Sequence, residues 1–365
     1  MTRRLMEGSE AMAEAAIASG CRFFAGYPMT PFTEILENFA KKLPAVGGVC
    51  INAESELEAI GMTWGALATG ARAATGSTGQ GLALMQESFS EITLAELPLV
   101  IFDMARGQGD YFQATRGGGH GDYRHIVLAP MDINEAVALT QEAFELADRW
   151  RNPVLIMGDY LLAHTSEAVE VPAAPAAGAA TDRAAKPWAV DGSLGGTGRS
   201  RIISSLGFSK YGQDGPGGIE AHQKAIVAKL RRITETEVRV ESGWLEGAEH
   251  VVVAYGTAAK FVRYVVAELR AEGTPIGYVR PISLWPFPYA AVREAAATAR
   301  RVLVFEVNAG QMIDDVRIGV EGRAPVEAIG GISTDHSGFG VGAMLDTDVI
   351  RGRIEAAMAG QEVGV

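Results

Sequence analysis

Residues 22–31 read Arg22-Phe23-Phe24-Ala25-Gly26-Tyr27-Pro28-Met29-Thr30-Pro31, and residues 48–58 read Gly48-Val49-Cys50-Ile51-Asn52-Ala53-Glu54-Ser55-Glu56-Leu57-Glu58. In both, a short apolar strand gives way at once to polar residues that open a helix. Thr30 stands just before Pro31, and a proline in the first helical turn loses only an N–H that would lack a partner anyway. Ser55 and Glu58 have the spacing of a capping box. Passages of this kind, repeated, are what a parallel sheet covered by helices on both faces requires.

The rhythm spreads outward from these two stretches. Helical patterns cover 10–19, 32–43, 56–69, 81–95 and 133–150, with apolar strands at 22–25, 48–51, 71–76, 97–105, 125–128 and 153–157. It fails after residue 170. Pro172–Lys186 is an Ala/Pro tract and Asp191–Gly198 is glycine-rich. A phosphate loop would need an apolar strand before those glycines and a helix directly after, and neither is present. The stretch reads as a linker or wrapping excursion, with Glu220–Thr234 as one solvated helix inside it. Strands at 250–254, 276–279, 301–306 and 325–329, with helices at 258–271, 288–298 and 311–319, then restore the pattern. The expected organisation is a doubly wound α/β domain over 1–170, the excursion over 171–248, and a smaller α/β domain over 249–365.

The chain has 365 residues, 48% of them hydrophobic and 21% charged, with a formal net charge of −12. That composition supports a sizeable core, and the negative charge disfavours non-specific binding to nucleic acid or anionic membranes. Cys21 and Cys50 are the only cysteines. They form neither a metal site of their own nor a disulfide framework, which points to a reducing compartment. The opening Met-Thr-Arg-Arg-Leu-Met-Glu has no apolar signal core, and no run approaches the roughly 18 apolar residues of a membrane span. The expected location is the cytoplasm.

Four strand-ending segments are expected at one edge of the first sheet, where open α/β sheets form crevices. Tyr27–Pro31 is read either as a plain helix start or as free N–H groups and a hydroxyl suited to a carboxylate. Glu56, at the first helical position, is favoured by the helix dipole with or without a chemical task. Arg106, delivered by an apolar strand into Gly107-Gln108-Gly109, is either a bidentate carboxylate clamp or an edge ion pair. Thr75-Gly76-Ser77-Thr78-Gly79-Gln80-Gly81 is a glycine turn without the Gly-Lys-Ser/Thr of a Walker loop. Downstream, Gly117-Gly118-Gly119 precede His120 and allow close backbone approach to a ligand, with His120 either an acid/base or a hydrogen-bonding residue.

Gly26–Pro31, Ala53–Glu56, the run DYFQATRGGGHGDYRHIVLAP over 110–130, Tyr255-Gly256-Thr257 and Arg280-Pro281-Ile282-Ser283-Leu284-Trp285-Pro286-Phe287-Pro288 together resemble the α subunit of 2-oxoacid:ferredoxin oxidoreductases. The likeness is strongest to the 2-ketoisovalerate type, with the 2-oxoglutarate type nearby, and covers nearly the whole chain. It implies a pyrimidine-type thiamine-diphosphate-binding fold followed by a domain like the transketolase C-terminal module. It implies CoA-dependent oxidative decarboxylation of a 2-oxoacid to acyl-CoA and carbon dioxide, with electrons passed to ferredoxin.

By motif match, Glu56 would contact N1′ of the aminopyrimidine and stabilise its imino tautomer. Tyr27, Pro28 and Thr30 would line the cofactor, and Thr30 with Arg106 would bind the oxoacid's carboxylate and adjacent carbonyl oxygen. No Gly-Asp-Gly signature for Mg²⁺ and diphosphate occurs; Gly-Asp is found only in the Gly-Asp-Tyr triplets at 109–111, 121–123 and 158–160. The resemblance therefore assigns the diphosphate, Mg²⁺ and 4Fe–4S clusters to a β subunit and to further γ and ferredoxin-like δ subunits. Two other readings stay open: a non-redox thiamine-dependent decarboxylase or transketolase-like subunit, and a regulatory homologue without turnover. In one place the chain departs from the family pattern: the segment between Arg106 and Asp110 is short, only Gly107-Gln108-Gly109.

Overall fold

The computed structural model describes residues 3–174, 186, 188–190, 205–206 and 218–363, so the glycine-rich string at 191–198 and most of the Ala/Pro tract lie outside the described residues. From the start the chain runs β1 (Arg4–Glu7), α1 (Gly8–Ala18), β2 (Phe23–Gly26), α2 (Thr33–Lys42), β3 (Val49–Asn52), α3 (Glu56–Ala68), β4 (Ala73–Ser77), α4 (Gly79–Leu94) and β5 (Leu99–Ala105). It continues with α5 (Tyr111–Thr115), β6 (Ile126–Leu128), α6 (Ile133–Trp150), β7 (Val154–Asp159), α7 (Tyr160–His164), β8 (Ser166–Val169), α8 (Gly218–Thr236) and β9 (Val240–Gly243). The rest is β10 (His250–Val253), α9 (Gly256–Ala271), β11 (Ile276–Pro281), β12 (Ser283–Trp285), α10 (Tyr289–Ala296), β13 (Arg301–Val304), α11 (Met312–Val320), β14 (Val326–Ala328) and α12 (Thr347–Met358).

Two layered α/β units result. The first has the strand order β12-β6-β7-β5-β4-β2-β3, and the second β14-β13-β10-β11-β9. Neighbours in the first sheet are parallel except β12, and in the second except β9. Every residue of β5 and of β7 is buried, as strands with helices on both sides must be. One face packs Phe24 and Phe102 against α1, α2 and α6, with Phe24 and Phe39 stacked 3.9 Å apart. The other packs Ile101 on Leu82, Met85 and Phe89 of α4, and that cluster continues into Val251, Val279 and Val304 of the second sheet. The two units thus share a core rather than meeting at a polar seam.

Several local expectations are corrected. Thr30 is not the cap of α2: the Thr30–Pro31 peptide is cis, Phe32 N–H closes a turn on the Met29 carbonyl at 2.7 Å, and the helix begins at Thr33. Ser55 does cap α3, accepting from Leu57 N–H at 3.2 Å, but the Glu58 carboxylate meets the Ser55 hydroxyl instead of reaching back to the main chain. The helix expected to be solvated, α8, buries His222, Ile226, Leu230 and Ile233 along one stripe, and the three aliphatic residues join the core of the first unit. No helix among the described residues is long and apolar enough to cross a membrane.

Candidate active site

The first sheet reverses its winding between β2 and β4. The chain passes from β2 outward to β3, then returns to lay β4 on the other side of β2. Loops leaving β2 and β4 therefore part in opposite directions and leave a crevice at their carboxyl ends. Tyr27–Thr30 follows β2, Ser55-Glu56 follows β3, Thr78–Gly81 follows β4 and Arg106 follows β5. The four expected segments do meet at this edge.

Glu56 is 3% exposed, while Glu54 and Glu58 on either side face solvent. The Ser77 hydroxyl donates to Glu56 Oε1 at 3.2 Å. Gly81, in the first turn of α4, makes this burial possible: a Cβ there would lie 2.0 Å from Ser77 Oγ and 2.4 Å from Glu56 Oε1. The neighbouring Thr78 hydroxyl is buried without a hydrogen-bond partner. A buried carboxylate and a hydroxyl thus meet against the bare Gly81 backbone at the crevice, with a buried, partnerless hydroxyl one residue further along the chain.

Across the crevice, Arg106 Nε donates to the Thr30 carbonyl at 3.0 Å. This bond spends neither the terminal guanidinium nitrogens nor the Thr30 hydroxyl. The guanidinium carbon lies 4.8 Å from the ring centre of Phe339, which comes from the second unit. Tyr27 and Pro28 are exposed at the rim. Beside them Asp110 sits at the start of α4, so close to Gly79 that a Cβ there would meet Asp110 Oδ1 at 2.5 Å, and it accepts from Gln113 Nε2 at 2.7 Å. Burial raises the Asp110 carboxyl above its ordinary value, against the opposing pull of the Gln113 bond and the Arg106 charge.

On the register partner of Ser77 stands Asp103, fully buried with neither carboxylate oxygen hydrogen-bonded. Burial first, and the charge of Asp110 second, push its pKa well above the usual carboxylate range. Asp103 appeared in the sequence only as an interruption of an apolar strand, and that interruption was the available signal.

Other sequence candidates fall elsewhere. His120 is exposed and pairs with Glu91 on the outer part of α4. The glycines before it pack against the protein itself: Gly117 on the Tyr123 ring, and the next two on α4, where a Cβ on Gly119 would lie 2.5 Å from the Gln86 carbonyl and Gly118 N–H donates to Gln86 Oε1 at 2.9 Å. Burial pushes the Cys21 thiol up to about 12 and the Cys50 thiol to about 11, which leaves neither as a nucleophile near neutral pH. Among the described residues no cluster of His, Cys, Asp and Glu could hold a metal ion.

Gln108 is a residue that sequence reasoning missed. Its side chain donates to the Tyr255 carbonyl at 2.9 Å and accepts from Val307 N–H at 2.8 Å, while its own carbonyl accepts from Asn308 Nδ2 at 2.8 Å. Tyr255 follows β10 and Val307 follows β13, so the short loop after Arg106 is gripped between two strand ends of the second sheet. Tyr111 adds a 2.7 Å bond to the buried Asp315 of α11. The shortened loop is held at both ends.

Residues 14–188 match the sequence model of the family described as pyruvate flavodoxin/ferredoxin oxidoreductase, thiamine diphosphate-binding, and residues 248–337 match that of pyruvate:ferredoxin oxidoreductase core domain II. The chain is 39% identical over 328 residues to the ketoisovalerate oxidoreductase subunit VorB of Methanothermobacter thermautotrophicus, covering 87% of this chain and 90% of the relative. It is 35% identical over 349 residues to the 2-oxoglutarate synthase subunit KorA of Methanothermobacter marburgensis, covering 89% and 93%. Among solved structures it resembles the 2-oxoglutarate:ferredoxin oxidoreductase of Magnetococcus marinus, solved with 2-oxoglutarate, coenzyme A and succinyl-CoA, at TM-score 0.79 and 26% identity. The likeness covers 97% of this chain and 65% of that longer one. A split-gene transketolase at TM-score 0.57 and 15% identity shares the fold. The buried Glu56 recess, the Thr30–Arg106 pair and these relationships lead to one conclusion: the chain belongs to the 2-oxoacid:ferredoxin oxidoreductase family, as one of its subunits.

Proposed function

We propose that this subunit supplies the pyrimidine side and the substrate grip of a thiamine-diphosphate site that a partner chain completes. The observation that carries the reading is Glu56, a carboxylate buried against Ser77 and Gly81 at the switch point of the sheet. The residues fit the aminopyrimidine half of the cofactor: the bare Gly81 makes room for the Glu56 carboxylate at the switch point, and the buried Thr78 hydroxyl lacks a partner among the described residues. When bound, thiamine diphosphate supplies the electron sink that decarboxylation of a 2-oxoacid requires.

Glu56 holds a proton at the ring nitrogen N1′, and its burial keeps water from competing for that contact. Thr30 and Arg106 bind the oxoacid's carboxylate and orient the adjacent carbonyl, with Arg106 anchored through Nε so that its terminal nitrogens are presented as a fork. Tyr27 and Pro28 line the rim. The reaction in this reading converts a 2-oxoacid and coenzyme A to acyl-CoA and carbon dioxide, with two electrons leaving to ferredoxin. In this reading 1–170 carries the site and 249–365 buttresses it, while 171–248 does more than connect them: its α8 packs into the core of the first unit and its β9 adds a strand to the second sheet. The setting is the reducing cytoplasm, in which Cys21 and Cys50 remain free thiols.

The partner in this reading is a β subunit bearing Mg²⁺, the diphosphate site and a 4Fe–4S cluster, with γ and δ subunits beyond it. Its landing surface is the outer face of α3 and α4, continuous with the Glu56 recess. Leu57, Met62 and Leu84 are 52%, 41% and 51% exposed there, and Gly61 and Gly65 face open space. The test is Glu56→Gln in the assembled complex. Oxoacid-dependent reduction of ferredoxin falls by at least about 100-fold if Glu56 has the assigned role; unchanged turnover overturns it.

A further inference from the structure

Among the described residues, Phe339 is the one aromatic side chain that the second unit lays against Arg106, and the loop bearing it is built to hold it there. Asp335 Oδ1 accepts from Ser337 N–H at 2.9 Å, from the Ser337 hydroxyl at 2.6 Å and from Gly340 N–H at 3.3 Å. Asp335 N–H in turn donates to the Gly340 carbonyl at 3.0 Å, closing the loop at its neck. Gly338 turns the chain at φ +75°, and Phe339 N–H donates to the Ser337 hydroxyl at 3.1 Å. Gly340 packs on Tyr160 of the first unit, where a Cβ would lie 3.1 Å from the Tyr160 ring. The loop is thus fastened to itself and seated on the other unit, and at its tip Phe339 is still 36% exposed.

An aromatic ring over the flat face of a guanidinium leaves the edge of that group available for a carboxylate. The ring then stands beside whatever the edge holds. The segments that bring Thr30, Asp110 and Phe339 to Arg106, residues 27–32, 107–110 and 332–340, carry no other Lys or Arg; they carry Asp110 and Asp335, with His336 facing Asp335. A substrate bearing a second carboxylate would meet there an apolar ring and two acidic residues, with no Lys or Arg from these segments to pair with it. A substrate with a branched apolar side chain would gain contact with the ring.

Taking Arg106 as the carboxylate clamp of the proposed function, we propose that Phe339 is a specificity-determining residue contributed by the second unit, favouring 2-oxoacids with an uncharged apolar side chain over dicarboxylic ones. The test measures kcat/KM of the assembled complex for 2-ketoisovalerate, pyruvate and 2-oxoglutarate, by dye reduction, in the wild type, Phe339→Ala and Phe339→Leu. The wild type should favour 2-ketoisovalerate over 2-oxoglutarate by at least about 10-fold. Phe339→Ala should cut the ratio of 2-ketoisovalerate to pyruvate by about 10-fold, and Phe339→Leu should restore most of it. A wild type that prefers 2-oxoglutarate, or ratios that Phe339→Ala leaves untouched in an active complex, overturns the role of Phe339 and leaves the proposed function standing. A wild-type complex inert toward all three oxoacids overturns both.

Discussion

Arg280 of the second unit holds Glu135 of the first through two parallel bonds, Nη1 to Oε2 and Nη2 to Oε1, each 2.8 Å long.. Its Nε completes the arrangement with a 2.8 Å bond to Glu241. The guanidinium is almost wholly buried, so its charge has no recourse to water. Among the described residues, replacing Arg280 with Ala takes the only cation from Glu135, which keeps the Met131 N–H, while Glu241 keeps Arg263 and Tyr278; it should cost about 3 kcal/mol in denaturant unfolding. Arg280→Lys should recover only a part, because a point charge cannot reproduce the fork.

Gly81 lies in an ordinary helical turn, yet it is the position least able to accept a side chain without loss of chemistry. In Gly81→Ala the new Cβ would stand 2.0 Å from Ser77 Oγ and 2.4 Å from Glu56 Oε1, so the carboxylate must shift. The expected outcome is a fall of about 100-fold in kcat of the assembled complex. A full-activity variant would mean that the position of Glu56 is not critical.

Asp103 gives a pH dependence with a definite sign. Its pKa in the folded chain is raised by burial and by Asp110. The raised value means that its stabilising contribution is fully present below the unfolded pKa of about 3.9 and is lost as pH rises through the folded value. Asp103→Asn removes that loss. The variant should therefore gain stability over the wild type progressively as pH rises from about 4. Urea unfolding across that range reads the difference, and a constant difference would contradict the raised pKa.

Gln108 predicts a different kind of defect. Gln108→Ala leaves Val307 N–H without its partner, at about 1–3 kcal/mol, and leaves the Tyr255 carbonyl only the longer bond from Ala259 N–H. Gln108→Glu keeps the acceptor for Val307 but sets a carboxylate oxygen against the Tyr255 carbonyl, and should be no better. Both variants should speed hydrogen exchange in the 107–111 loop and at the ends of β10 and β13.

The alternation of helix and strand was readable because buried parallel strands are apolar along their whole length. The burial of Glu56 was readable because Glu54, Glu56 and Glu58 stand at alternate positions across a helix start and point in different directions. Gln108 was not readable, since its partners Tyr255 and Val307 lie in another unit and nothing local marks the residue as a clamp. The glycines at 117–119 misled for a related reason. Close approach was the correct inference, but the surfaces approached are the Tyr123 ring for Gly117 and α4 for Gly118 and Gly119. The Arg280–Pro288 motif showed a family likeness without its cause, which is structural: Arg280 ties the units together and Ser283–Trp285 forms β12. Short strands such as β1, β8 and β9 carry too few residues for a period to show, and long-range pairing creates them.

β12 is made from residues 283–285, yet it pairs with β6 at the edge of the first sheet, more than 150 positions earlier in the chain. During synthesis the first sheet therefore emerges from the ribosome one strand short. It waits, with the β6 edge uncovered, until β10 and β11 of the second sheet have already appeared. A shortened product ending before residue 283 would keep that open edge permanently, and unpaired strand edges are templates for aggregation. The order in which the ribosome delivers the segments thus makes the second unit a finishing piece for the first.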